Sequence, residues 1–429
     1  MNSDKGMIYL FHHYAEVPAY GTCLRHWSLM RYLMDNGYRV KVFASSFVHS
    51  INKNMVNDNY SDIYKEEEVD SVPFVYIRTR SYVSTKDRVL NMVDYYVNLK
   101  KSLDNFEKPD LIIATMPHPL ACLAGVQISK KYGVPFICEI LDLWPESIVT
   151  YGNYSEYNPV ILALYRLEKW IYEKADGLVF SWEGAYDYIV NKGWSKSISR
   201  DKFRYINIGV DLDEFNRDLR EYRLEDDRDL NSDAFKVMYC GAIRPANDIE
   251  ILVHCARILK EKEYGRDIKF IIYGDGPDKN RLETIVKEHG LDNVIFKGFI
   301  NKRYIPYVLS KSNVNILNLK PSTTQQYGNS SNKLFEYFAS GNPVIANIRE
   351  GKYPIISKYN CGVVVEPNSL DEYVHAIISM YDMYKNAPTE FKKYQTNARK
   401  TAQIFDMKNM NENFEKVITQ LIEENTANV

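Results

Sequence analysis

At 429 residues the chain is too long for one ordinary hydrophobic core, so two domains are the default expectation. Apolar residues at 45% and charged residues at 26% describe a globular chain, and a formal net charge of -2 argues against a nucleic-acid partner. The cysteines Cys23, Cys122, Cys138, Cys240, Cys255 and Cys361 form no C-x-x-C pair and read as buried reduced thiols, not zinc ligands or a disulfide framework.

The stretch from Met1 to Gly6 is polar, and the apolar run after it is short and broken by His12 and His13. That pattern predicts no signal peptide. Eighteen consecutive apolar residues occur nowhere, so the expectation is a cytoplasmic protein without a membrane-spanning helix.

Short apolar runs alternate with longer helical patterns, the rhythm of parallel βαβ units. Met7 to Phe11 predicts the first strand, followed by a loop to Gly21 and a helix from about Thr22 to Asn36. Gly37 suits that helix's C-terminal cap, and Arg39 to Ala44 predicts the next strand. Asp110 to Thr115 and Pro135 to Ile140 read as strands around a helix over Leu120 to Tyr132. Gly177 to Ser181 and Phe203 to Ile206 close this half. A charged, loop-like stretch from Asp218 to Asp233 leads to strands at Phe235 to Tyr239, Ile268 to Tyr273, Asn293 to Lys297, Val314 to Leu317 and Pro343 to Ala346. A last helix is predicted over Asn409 to Ile422. The fold class implied is α/β, with two doubly wound Rossmann-like domains whose carboxyl strand edges face each other across a cleft. The predicted boundaries are 1–208 and 209–404, with 405–429 packing back toward the first domain.

The stretch Gly328-Asn329-Ser330-Ser331-Asn332-Lys333-Leu334-Phe335-Glu336-Tyr337 runs from small polar residues into an amphipathic helix. Ser330 or Ser331 can cap it, leaving backbone N–H groups at its first turn beside Lys333. A helix N-terminus with a neighbouring lysine can hold a diphosphate, and Glu336, a turn further in, can accept from ribose hydroxyls. The same residues would also serve in an ordinary capped helix with a solvated lysine and glutamate.

This stretch, followed by Gly341-Asn342-Pro343-Val344-Ile345, resembles the family 4 retaining glycosyltransferases of GT-B architecture. It looks closest to the bacterial surface-polysaccharide branch with L-fucosamine transferase-like members. Matching segments are spread over nearly the whole chain. Pro18-Ala19-Tyr20-Gly21-Thr22 resembles the N-terminal glycine loop that approaches the diphosphate, where Gly21 lets backbone come close. Glu139-Ile140-Leu141-Asp142-Leu143-Trp144-Pro145-Glu146-Ser147 follows a strand and places Asp142 for an acceptor hydroxyl or the donor sugar, or as a turn cap. Asn207-Ile208-Gly209-Val210-Asp211 stands at the domain boundary as a hinge. Gly241-Ala242-Ile243-Arg244 and Gly274-Asp275-Gly276-Pro277 match turns of the donor domain.

Two departures stand out. Gly328 takes the place of the first of the family's two glutamates, eight positions before Glu336. Ala242 and Asn247-Asp248 replace a basic pair that grips the diphosphate, leaving Lys333 and Arg244 as the cations. His118, after the strand ending at Thr115, can touch the donor sugar, though a satisfied structural histidine is the more common role for such a residue.

The resemblance implies donor contacts at Gly21, Gly241, Arg244, Gly274, Gly276, Ser330, Ser331, Asn332, Leu334 and His118, with Asp142, Lys333 and Glu336 nearest the chemistry. It implies a nucleotide diphosphate sugar as co-substrate, with UDP as the expected nucleotide, no cofactor, no obligatory metal and retention of anomeric configuration. The acceptor implied is a glycan or lipid-linked glycan. The basic segment Lys192 to Arg204 around Trp194, and the aromatic helix with Tyr165, Trp170 and Tyr172, could give peripheral contact with the inner membrane face. A nucleotide-sugar epimerase on the same fold, or a non-catalytic sugar-nucleotide-binding subunit, are the alternatives.

Overall fold

The computed structural model describes residues 4–19, 25–56, 62–152, 154–262 and 264–427. The chain divides into two compact units, Met1–Asn207 with Lys408–Val429, and Ile208–Met407. Both carry sheets of parallel strands with helices, as the sequence rhythm predicts.

The first unit contains β1 (Met7–Phe11), α1 (Arg25–Asp35), β2 (Arg39–Ser45), a small hairpin of β3 (Phe47–Val48) and β4 (Lys53–Asn54), β5 (Tyr64–Val69), β6 (Val72–Ile77) and α2 (Thr85–Ser102). It continues through β7 (Leu111–Thr115), α3 (Pro119–Tyr132), β8 (Phe136–Ile140), α4 (Glu146–Gly152), α5 (Pro159–Lys174), β9 (Gly177–Phe180), α6 (Ala185–Asn191) and β10 (Phe203–Tyr205). The sheet order is β10-β9-β8-β7-β1-β2-β6-β5, so chain direction across the sheet reverses between β1 and β7. Strands β1, β7, β8 and β9 are buried along their whole length, which is why they read as unbroken apolar runs and not as alternation.

The second unit holds α7 (Leu212–Glu221), β11 (Phe235–Cys240), α8 (Glu250–Glu261), β12 (Ile268–Tyr273), α9 (Lys279–Glu288), β13 (Val294–Gly298), α10 (Ile305–Ser310) and β14 (Val314–Leu317). Then come α11 (Asn332–Ser340), β15 (Val344–Ala346), β16 (Gly362–Val364), α12 (Leu370–Asn386) and α13 (Pro388–Ile404). Its order is β13-β12-β11-β14-β15-β16, with the reversal between β11 and β14. Alternate residues of β11 feed opposite cores. Phe235, Val237 and Tyr239 pack toward α8 and α12, whereas Met238 and Cys240 pack toward α11.

Several expectations need correction. The stretch from Asp218 to Asp233 is not loop throughout, because α7 runs to Glu221 and Asp211 caps it by accepting from Glu214 N at 2.8 Å. Its polar composition hid a helix that buries only Phe215 and Asp218. The antiparallel pair β5–β6 and the edge strand β16 were also not anticipated. Strand β5, reading Tyr-Lys-Glu-Glu-Glu-Val, sits at a sheet edge where charges discourage pairing with other chains and erase the apolar pattern.

The last helix, α14 (Met407–Ala427), is longer than the sequence suggests and packs into the first unit's core through Met410, Phe414, Val417 and Ile418. Phe414 is 1% exposed. Phe414→Ala should therefore cost about 3–5 kcal/mol and lower the melting temperature of the first unit in calorimetry. An unchanged melting profile would contradict this packing.

Candidate functional site

In open α/β sheets, ligands gather beyond the carboxyl ends of strands near the point where strand order reverses. In the second unit that point lies at the ends of β11 and β14, and α11 begins on the segment that follows β14.

Three glycines shape the turns there. Gly241 (φ 153°), Gly274 (φ 141°) and Gly276 (φ 152°) occupy backbone that other residues rarely adopt. A Cβ on Gly274 would strike the Gly241 carbonyl oxygen, and one on Gly276 would strike the Ile243 carbonyl oxygen. The turns are tied by Gly241 N to Tyr273 O at 3.0 Å and by Ile243 N to Asp275 O at 2.9 Å. A Cβ on Gly241 would collide with the Lys333 side chain, so the bare backbone is what lets the lysine pass.

Helix α11 starts after Ser331, which has extended N-cap geometry (φ -83°, ψ 124°). Contrary to expectation, no serine hydroxyl caps the helix. Asn329 Oδ1 instead accepts from Ser331 N at 2.9 Å, which shapes the approach and leaves the hydroxyls uncommitted to the helix. Ser330 Oγ and Asn332 Oδ1 are buried atoms without a hydrogen-bond partner. Backbone N–H groups of a first helical turn have no intrahelical acceptor, so this end gathers donors and positive potential. Leu334 is buried below it and anchors the turn in the core.

Lys333 Nζ donates to the Tyr239 hydroxyl at 3.3 Å and lies 5.2 Å from that ring's centroid. Burial, with repulsion from Arg244 second, lowers its pKa to about 8. Arg244 itself is exposed and has no hydrogen-bond partner among the described residues. Glu336, half-buried on the next turn, has its pKa raised by burial, against the opposing pull of Lys302 and Lys333. The Tyr337 hydroxyl bridges Cys240 N and Cys240 O, both at 3.3 Å, locking α11 to the end of β11.

The two departures acquire physical content. Gly328 has φ 113°, backbone that a glutamate would strain to adopt. Asn247 is 1% exposed and donates to Ala242 O at 2.6 Å, so this amide braces the turn. Asp248 stands at φ 44°.

Sequence reasoning missed Tyr239, Tyr337 and Asn247. The tyrosines read as ordinary apolar members of a strand and a helix, and nothing in the pattern marks a hydroxyl that turns toward a loop.

Of the remaining expected residues, Asp142 and His118 belong to the first unit, and Gly21 lies outside the described residues. Asp142 is exposed. Its pKa is raised by desolvation, against hydrogen bonds from the Leu143 backbone and the Ser147 side chain. The preceding Leu141 carbonyl accepts from Trp182 Nε1 at 3.1 Å and Ser181 Oγ at 3.2 Å, which fixes this turn. His118 is wholly buried and caps α3, its Nδ1 accepting from Leu120 N at 3.3 Å. Burial lowers its pKa to about 3, so the imidazole is neutral. His118 packs edge-on to His13 with ring centroids 4.6 Å apart. At the base of this group Arg25 Nε pairs with the buried Glu139 at 2.7 Å, and Thr115 Oγ1 donates to the same carboxylate at 2.7 Å.

In the segment expected to touch lipid, Lys196, Arg200 and the neighbouring Trp170 are exposed, whereas other members are engaged within the first unit. Lys192 pairs with Glu146 at 2.7 Å, and Lys202 donates to Glu173 O at 2.9 Å and Ala175 O at 2.7 Å. Trp194, Tyr165 and Tyr172 are buried, the last with its hydroxyl on Glu168 at 2.8 Å. Among the described residues no helix is long and apolar enough to cross a membrane.

The model of the glycosyl transferases group 1 matches residues 223–401, and that of the glycosyl transferase 4-like domain matches residues 21–208. The chain belongs to the family 4 glycosyltransferases, the GT-B class. It is similar to the alpha-D-kanosaminyltransferase of Streptomyces kanamyceticus, 28% identical over 210 residues, which are 47% of this chain and 50% of that protein. The 2-deoxystreptamine glucosyltransferase of the same organism is 29% identical over 119 residues, 28% of this chain and 29% of that protein. The chain thus spans about half the length, or less, of these curated relatives. In fold it resembles the sucrose-phosphate synthase of Thermosynechococcus elongatus, with a TM-score of 0.72, 19% identity and coverage of 98% of this chain and 100% of that one. Anabaena HepE in complex with UDP gives a TM-score of 0.67 at 15% identity, over 96% and 99% of the two chains.

The depressed lysine has a consequence for stability. Its pKa is near 8 when folded and 10.5 when unfolded, so between these values the unfolded state binds more protons and stability rises with pH. Lys333→Met should remove that rise while leaving stability at pH 7 equal or higher, as read by denaturant titration at pH 7 and 9.5. A slope retained in the variant would place its origin elsewhere.

Proposed function

We propose that the chain is a hexosyl- or N-acetylhexosaminyl-type transferase. It moves a sugar from a nucleotide diphosphate sugar, with UDP as the nucleotide, to a glycan or lipid-linked glycan acceptor. The observation that carries the reading is the N-terminal end of α11, with unpartnered Ser330 Oγ and Asn332 Oδ1 and a partly desolvated Lys333 threaded over Gly241. The UDP named in the HepE complex supports the choice of nucleotide.

The chemical task is to break the bond between the anomeric carbon and the diphosphate. Negative charge grows on the diphosphate oxygens as that bond opens. Preorganised amides at the end of α11, Lys333 and the unpaired Arg244 would meet this charge without reorganising at the moment of reaction. The turns at Gly241, Gly274 and Gly276 would admit the diphosphate close to backbone. Glu336 would accept from the ribose hydroxyls. In the first unit, the exposed Asp142 would serve an acceptor hydroxyl. The departing diphosphate would take the acceptor's proton on the face that the sugar leaves, which gives retention and needs no protein base or obligatory metal.

Binding to the folded state raises the melting temperature by mass action. A thermal-shift series with UDP-, GDP-, ADP- and dTDP-sugars should show a shift with UDP-sugars that survives EDTA. Lys333→Ala should weaken donor binding by about ten- to hundredfold, the scale of one lost charged hydrogen bond. Wild-type affinity should also fall as pH rises through about 8, where Lys333 loses its proton. A shift with none of these donors, or full binding by Lys333→Ala, would overturn the reading.

A further inference from the structure

The first unit buries a carboxyl group that none of the chemistry above uses. Glu168, on the inner face of α5, is 0% exposed. Its carboxyl accepts from Tyr172 Oη at 2.8 Å and from Tyr188 Oη at 2.9 Å. The other titratable or charged groups that face it are Tyr165 on its own helix, Lys192 at the end of α6, Glu146 at the start of α4 and Cys138 on β8.

This cluster holds two acids and one cation. Lys192 pairs with Glu146 at 2.7 Å and lies 4.0 Å from the Tyr165 ring centroid. Tyr165 Oη donates to the same Glu146 carboxylate at 2.6 Å. Among the described residues no cation stands within ion-pair distance of Glu168. A buried carboxylate without a paired cation is costly. Burial accordingly raises the Glu168 pKa to about 8, against the tyrosine hydrogen bonds and the pull of Lys192. At neutral pH the acid keeps its proton, and Lys192 has a single anion to serve.

Glu146 carries this arrangement to the strand end. It opens α4, and the next residue, Ser147, hydrogen-bonds Asp142 through its side chain and Leu143 O through its backbone at 2.8 Å. Ionised Glu168 would divide Lys192 between two carboxylates and repel Glu146, loosening the first turn of α4.

We propose that Glu168, as the neutral acid, is a positioning residue that leaves Lys192 wholly to Glu146 and thereby holds the start of α4 and the Asp142 turn. The proposal rests on the transfer reading only for what Asp142 meets. The clamp itself is a property of the first unit.

The test follows Trp194 emission and hydrogen exchange of the α4 amides in the full chain between pH 6 and 9.5, with exchange corrected for its intrinsic pH dependence. Trp194 reports locally, because its ring lies 5.9 Å from Tyr188 and 6.3 Å from Tyr172 between centroids. Wild-type emission should change with a midpoint near pH 8, and Trp194→Phe should remove the change. Exchange of α4 should quicken about tenfold over the same interval, the scale of one weakened charged hydrogen bond. Glu168→Gln, which keeps the neutral acid's shape, should retain slow exchange and flat emission throughout. Tyr188→Phe removes a hydroxyl that favours the carboxylate, so the midpoint should move to higher pH. No wild-type titration, a titration kept in Glu168→Gln, or fast α4 exchange in Glu168→Gln at pH 7 would overturn the proposal. A UDP thermal shift on the same preparations reads the second unit separately. Titration of α4 without that shift would support the clamp and count against the transfer reading, whereas the shift without titration would sink the clamp alone.

Discussion

The passage of the Lys333 side chain over Gly241 is the constraint on which the second unit's site depends. A Cβ at residue 241 would stand where the end of the Lys333 side chain now lies against the end of β11. The same glycine's carbonyl oxygen sits where a Cβ on residue 274 would stand, so the turn after β12 must also be glycine. One close approach thus fixes two turns and a helix position, and the Tyr337 hydroxyl on both polar groups of Cys240 holds the register. The penalty is a charge kept partly out of water, which lowers the Lys333 pKa to about 8.

A negative ligand, as in the proposed function, would offset that cost. Unpartnered polar atoms at Ser330 and Asn332 point the same way, since buried hydrogen-bonding groups without partners are disfavoured in a finished core. With Asn247 bracing the first turn, the proposed diphosphate site would draw its positive charge from Lys333 and Arg244. Affinity should accordingly rest on fewer cations and respond more steeply to pH than in a site with permanently charged partners. In the first unit, by contrast, Glu139 is fully matched by Arg25 and Thr115, and burial keeps the histidines neutral. Those groups rigidify the strand ends more than they offer charge.

Most of the strand framework was legible because parallel strands buried on both faces appear as compact apolar runs. β1, β7, β8, β11, β12 and β14 all fall within a residue or so of expectation. The edge strand β5 escaped for the opposite reason, as it carries four charged residues in six, whereas the edge strands β10 and β13 fall where they were expected. Helix α7 escaped because its surroundings are acidic and its buried stripe is narrow. At the candidate site, residue types and order single out Lys333, Glu336 and the glycines Gly241, Gly274 and Gly276, which the structure brings to one end of the second unit. Pattern alone could not show that Ser331 leaves its helix uncapped, that Arg244 stands free in solvent, or that Tyr239 turns its hydroxyl toward the lysine. These depend on side-chain direction, which spacing does not encode.

The most direct test of the central claim is calorimetric titration with uridine, UMP and UDP. If the end of α11 holds the diphosphate, UDP should bind far more tightly than uridine, and the gap should nearly close in Lys333→Ala. Equal affinities for uridine and UDP in the wild-type protein, or a gap unchanged by the substitution, would contradict the account.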